Sequence, residues 1–215
     1  MPGLMQAPSL RRLALVAAAA GLAAGAAFTI LQQVFLIPAI LRAEALEASA
    51  HHLQHAGLSR PTFTFAFNCL TGFGYALLLA AGMILRTHHG WRRGLLWGVG
   101  GWLCFALAPA IGLPPELPGA VQTALEARRL WWIGATAGAA VGLALIVFGP
   151  GWGWRLAGVV LAAIPHVAGA PGAGWQGLPP EGLRFAVGAL AAGAAFWLVL
   201  GAAAGIGLAR PRDGC

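Results

Sequence analysis

The chain has 215 residues, 59% of them hydrophobic and 9% charged, with a mean hydropathy of +0.77. A soluble domain carries about 25% charged residues, so this composition excludes a water-soluble enzyme or binding module and fits a protein whose solvent is the bilayer. The net charge of +7 is all arginine, scattered in ones and twos between apolar runs with no basic face; that argues against a nucleic-acid partner and makes membrane orientation the role of the charge.

Crossing the hydrocarbon core as a helix takes about 20 apolar residues. Six runs are candidates: 13–41, 62–85, 94–113, 130–148, 156–167 and 185–208. The first follows Arg11-Arg12 and contains Ala24-Gly25-Ala26, which together imitate a secretion signal. A signal's apolar region is only roughly 7–15 residues long, however, and this run continues well beyond that, with further spans after it. It therefore reads as a span, ended by Pro38. Directly after it Glu44, Glu47, His51 and His55 stand at i, i+3, i+7 and i+11, along one face of a helix. Carboxylate with imidazole suits cobalt, nickel or zinc, and His52 adds a third imidazole. A solvated polar face is the alternative reading of the same spacing.

The second run holds Asn68 and leads into a short connection, Arg86 to Arg93, whose arginines resist translocation and anchor it inside. His88 and His89 in that connection read as loop residues, since the neighbouring arginines repel cations. After the third run comes Gly112-Leu113-Pro114-Pro115-Glu116, with Pro118 beyond. A carboxylate held between prolines can guide a cation at the outer mouth, or cap the following helix. The fourth run opens on Trp131-Trp132; with Trp152, Trp154 and Trp175 these read as the aromatic belt at the membrane surface.

The fifth run is short, and Pro165 interrupts it, so a tilted span, a broken helix and a re-entrant segment are all open. His166 is the ionisable group placed well inside an apolar run, where a polar side chain is expensive and lines a pathway or meets a partner. The motif Gly-Leu-Pro-Pro-Glu returns at 177–181, before the sixth run. With Pro38 at the end of the first run, it suggests three outward-facing helical hairpins as parallel repeats. Proline followed by glutamate is also an ordinary helix opening.

Taken together, the expected fold is all-α, a polytopic membrane bundle of six transmembrane helices, with five as the alternative, forming one integral membrane domain over 1–215. An N-terminus inside places Arg11, Arg12, Arg86, Arg92, Arg93, Arg155, Arg210 and Arg212 in the cytoplasm, and Glu44, Glu47, Glu116, Glu126 and Glu181 outside. Small residues four apart (Gly21/Gly25, Gly94/Gly98, Gly134/Gly138/Gly142, Gly201/Gly205) predict close helix packing. No phosphate-binding loop is present, no nucleophile and base converge at recognisable spacing, and Cys69, Cys104 and Cys215 form no C-x-x-C pair. A transporter with no cofactor of its own is the expectation, not an enzyme.

Several segments resemble the CbtA family of predicted cobalt-transporter subunits. They are Glu44-Ala45-Leu46-Glu47, Trp91-Arg92-Arg93-Gly94-Leu95-Leu96-Trp97-Gly98, Leu107-Ala108-Pro109 leading to the Gly112–Gly119 stretch, Arg129-Leu130-Trp131-Trp132, Pro165-His166 with Gly169-Ala170-Pro171, and Phe196-Trp197. The resemblance implies a bacterial inner-membrane protein of five or six helices, partnered by a small single-span subunit, CbtB, with a histidine-bearing tail. It also implies cobalt uptake for corrinoid synthesis, and it carries over Glu44, Glu47, Glu116 and His166 as functional positions. His51, His52 and His55 match no family motif and rest on spacing alone. The rival expectations are a transporter of nickel or zinc, and a non-transporting scaffold subunit of a metal-handling complex.

Overall fold

The computed structural model describes residues 9–48, 59–86, 90–119 and 124–209, and every regular element among them is helical. In chain order they are α1 (Leu10–Leu31), a π-helical segment (Gln32–Leu36) and α2 (Ile37–Ala48), which run on without a break; α3 (Ser59–Ile84); α4 (Trp91–Trp102), a second π segment (Leu103–Leu107) and α5 (Ala108–Gly112), again continuous; α6 (Leu125–Phe148); α7 (Trp152–Ala168); a 3-10 turn (Gly174–Gly177); and α8 (Pro180–Leu208).

Five helical runs are long and apolar enough to cross a membrane: Leu10–Leu46, Arg60–Ile84, Trp91–Gly112, Leu125–Phe148 and Pro180–Leu208. The sixth, α7, has 17 residues, about 26 Å at 1.5 Å per residue against a core of about 30 Å. It is an unbroken helix that starts at Trp152 and passes through Pro165. The proline sits in the last turn, so it removes only the donor to the Leu161 carbonyl. Nor does Pro38 end the first span, because the helix carries on to Ala48.

Both π segments close two residues before a proline, in matching sequences: Leu36-Ile37-Pro38-Ala39-Ile40 and Leu107-Ala108-Pro109-Ala110-Ile111. Proline gives no N–H to the carbonyl four residues back and crowds it. A wider turn, in which the Ala108 N–H reaches the Leu103 carbonyl, absorbs that misfit without ending the helix.

Contacts divide the chain into two compact units. The first contains α1, α3, the start of α4 and the last part of α8. Its helices meet backbone to backbone. A Cβ at Gly21 would lie 2.8 Å from the Gly72 carbonyl carbon, one at Gly25 2.7 Å from Cys69 N, and one at Gly201 2.8 Å from Gly98 Cα. Van der Waals contact of this kind is what holds helices together in lipid. Polar groups here are matched: Asn68 Nδ2 donates to Thr29 Oγ1 at 2.9 Å, and that hydroxyl donates to the Gly25 carbonyl at 2.8 Å. Arg12 Nη2 donates to the Gly207 and Ala209 carbonyls at 3.2 and 2.8 Å, satisfying the end of α8 and holding it beside the start of α1. Phe28, Tyr75, Phe196 and Trp197 form an aromatic cluster, with ring centroids 5.3 Å apart for Phe28–Phe196 and 4.6 Å for Tyr75–Trp197.

The second unit contains the first π segment with α2, the remainder of the 91–112 run, α6, α7 and the start of α8. Its centre is the α6–α7 hairpin. A Cβ at Gly142 would lie 2.5 Å from the Gly158 carbonyl oxygen and the reverse distance is also 2.5 Å. A Cβ at Gly138 would lie 3.0 Å from the Leu161 oxygen, the carbonyl that Pro165 leaves without its usual donor. Gly134 does not join this seam, since a Cβ there would meet nothing within 4 Å. Steps of four residues drift about 40° round a helix, which carries Gly134 off the face that Gly142 presents.

Candidate ion site

Within the second unit, residues 114–117 leave the helix as an irregular stretch pinned by Pro114, one of the largest fully buried side chains. This brings Glu116 back against the first turn of α6. Its Oε2 lies 3.0 Å from Arg128 Nη2, with side-chain exposures of 14% for the glutamate and 18% for the arginine. The pair is held by charge and not by an aligned donor, for Oε2 is sealed from solvent and accepts no hydrogen bond. Glu116 does not cap α6, whose N-cap residue is Ala124 with no side-chain cap bond.

One turn further along α6, Trp131 connects this pair to His166. Its indole N–H donates to the Pro165 carbonyl at 3.0 Å, and its ring meets the His166 imidazole at 5.5 Å and 75°. Gly112, the first residue of the proline motif, must be glycine for this to fit: a Cβ there would lie 2.5 Å from Trp131 Cη2 and 2.6 Å from Ala170 Cβ. Gly169 closes α7 with φ of +87°, a left-handed conformation that turns the chain away, and Trp175 then donates its N–H to the Ala110 carbonyl at 2.7 Å. The His166 ring is held at its edge by Trp131 while Nδ1 is buried and unpartnered.

Among the described residues of this unit, three buried side-chain atoms lack a hydrogen bond: His166 Nδ1, Thr136 Oγ1 and Glu116 Oε2, the last of them ion-paired with Arg128. Native proteins leave few such atoms, and each costs about 1–3 kcal/mol. A carboxylate oxygen and an imidazole nitrogen, tied to neighbouring turns through Arg128 and Trp131, are the donor types that cobalt, nickel and zinc accept. No group of three His, Cys, Asp or Glu side chains able to hold a metal ion occurs among the described residues.

The remaining expected ligands lie elsewhere. Glu44 is half-buried on α2 and already engaged, and Glu47 lies one turn on in the same helix. His51, His52, His55, His88 and His89 lie outside the described residues. Sequence reading missed Arg128, Trp131, Thr136 and Trp175. Trp131 and Trp175 are half-buried with their N–H groups spent on backbone carbonyls, whereas Trp152 and Trp154 are 77% and 54% exposed.

A family model described as "Probable cobalt transporter subunit (CbtA)" matches residues 10–209, nearly the whole chain. Comparison with curated proteins and with solved structures gives no match. The chain therefore belongs to the CbtA family, described as probable cobalt transporter subunits: a multi-pass membrane protein and one component of a multi-component transporter.

Proposed function

We propose that this chain forms the path by which Co²⁺ moves inward across the bacterial cytoplasmic membrane, with its N-terminus in the cytoplasm and a small single-span CbtB-like subunit as partner, supplying corrinoid synthesis. Glu44, Glu47, His51 and His55 collect the hydrated ion outside, Glu116 receives it, and His166 offers a nitrogen ligand deeper in the bundle. The observation that carries this reading is His166 Nδ1, a buried nitrogen without a hydrogen-bond partner, whose ring meets Trp131 one turn along α6 from the arginine that holds Glu116. Two protein ligands hold a divalent ion weakly, and conduction requires a site that the ion can leave. The membrane potential supplies roughly 2.3 kcal/mol per elementary charge per 100 mV, doubled for a divalent ion.

Radiolabelled cobalt uptake by vesicles carrying the full chain, with and without the small subunit, tests this. Uptake should depend on the chain and fall at least tenfold in His166→Ala, with nickel and zinc competing more weakly than cobalt. Better accumulation of nickel or zinc would reassign the ion.

The absence of a three-ligand group among the described residues favours a second reading, a non-transporting scaffold subunit. It expects His166→Ala to leave flux intact while loosening retention of the partner.

A further inference from the structure

Arg128 is oddly placed for a structural residue. It is the fourth residue of α6, near the positive end of the helix dipole, where a basic side chain is disfavoured. Its neighbour Arg129 behaves as expected, 61% exposed and paired at 3.1 Å with Glu126, itself 77% exposed, on the same helix. Arg128 instead turns inward to Glu116, so both charges lose most of their water. A buried ion pair offsets that loss only when its hydrogen bonds are good, and arginine's planar fork can normally supply two parallel bonds to a carboxylate. Here a single guanidinium nitrogen meets Oε2 at 3.0 Å, and that contact falls outside hydrogen-bond alignment. Charge is cancelled, but the pair is not locked.

We infer that Arg128 is a tethered counter-cation, which neutralises Glu116 while no metal ion is present and is displaced when a divalent cation arrives. This rests on the reading of Glu116 as the carboxylate that receives the ion. At equal distance and dielectric a divalent ion attracts the carboxylate twice as strongly as a guanidinium or a sodium ion does. The tether thus sets a threshold that monovalent cations fail to cross and divalent ones pass. Arg128 lies in the first turn of α6 and its side chain keeps 18% exposure, so a displaced guanidinium has a short route to water. The same side chain refills the place once the ion moves on, which prevents Glu116 from holding it.

The test is the concentration dependence of radiolabelled cobalt uptake by cells producing the full chain with its partner subunit. Arg128→Gln should lower the apparent KM about tenfold and make uptake sensitive to external sodium. Arg128→Lys, which keeps the charge but not the fork, should fall between. Millimolar guanidinium ion should inhibit Arg128→Gln competitively and raise its KM back towards the original value, while leaving the unmodified chain unaffected. A KM that is unchanged or raised in both variants, with guanidinium without effect, would reduce the pair to a structural tie and overturn the inference. Should Arg128→Gln fail to accumulate in the membrane, the KM of Arg128→Lys decides alone, lowered in support or otherwise against. Normal uptake by Glu116→Gln would instead remove the premise, whatever the arginine variants do.

Discussion

The five residues Gly-Leu-Pro-Pro-Glu occur twice in this chain and do two different things. At 177–181 they are a helix opening: Pro180 begins α8, Glu181 lies in its first turn, and the carboxylate faces solvent. At 112–116 the same residues close a helix and open none: Gly112 ends α5, Pro114 is buried, and Glu116 is drawn in to Arg128. The difference comes from what each copy is packed against. Gly112 lies under Trp131 and beside Ala170, whereas a Cβ at Gly177 would meet only Ala173 of its own 3-10 turn. A short motif thus states a local preference, and the surrounding helices decide whether its acid becomes a cap or a buried donor.

The second copy serves as an internal control for the first. The largest effect is expected at the acids. Glu116→Gln should cut cobalt uptake at least tenfold, while Glu181→Gln stays within twofold, because a first-turn carboxylate on an exposed surface contributes only about 0.3–1 kcal/mol to its helix. Equal losses from both would break the distinction. Next come the glycines. Gly112→Ala must push Trp131 aside, an overpacking cost of about 1–3 kcal/mol, and should reduce uptake several-fold with a lowered Tm. Gly177→Ala lies in an exposed turn that can open and should leave uptake unchanged. The smallest effect is expected at the indoles. Trp131→Phe and Trp175→Phe each lose one hydrogen bond to a backbone carbonyl, about 1 kcal/mol of stability. Only Trp131→Phe should also shift the KM for cobalt, by about threefold, since only Trp131 touches His166.

Much of the fold was legible in the sequence because bilayer physics is coarse. Apolar run length gave the five long helices, and the glycine pairs gave the seams at Gly21/Gly25, Gly94/Gly98, Gly201/Gly205 and Gly138/Gly142. The prolines were harder to read. Pro38 looked like a stop, but Pro38 and Pro109 each follow a π segment that lets the helix continue, and no residue pattern announces a π turn in advance. Glu116 and His166 stood out singly, as a carboxylate between prolines and an imidazole in an apolar run. Their connection did not, because it runs through Arg128 and Trp131, two residue types that are ordinary at the end of any membrane helix. Trp131 differs from its surface counterparts by the glycine facing it, and Gly112 sits in the very motif that the other copy uses as a plain turn.

The claim beneath all of this is that the travelling ion is bound by His166. It is tested most directly by cobalt X-ray absorption on purified full-length chain in which His166 is the only histidine retained. The expected spectrum shows imidazole scattering around Co²⁺ that vanishes when His166 is also replaced by alanine. A fully hydrated cobalt spectrum in the His166-only chain, identical to that of the histidine-free one, would contradict it.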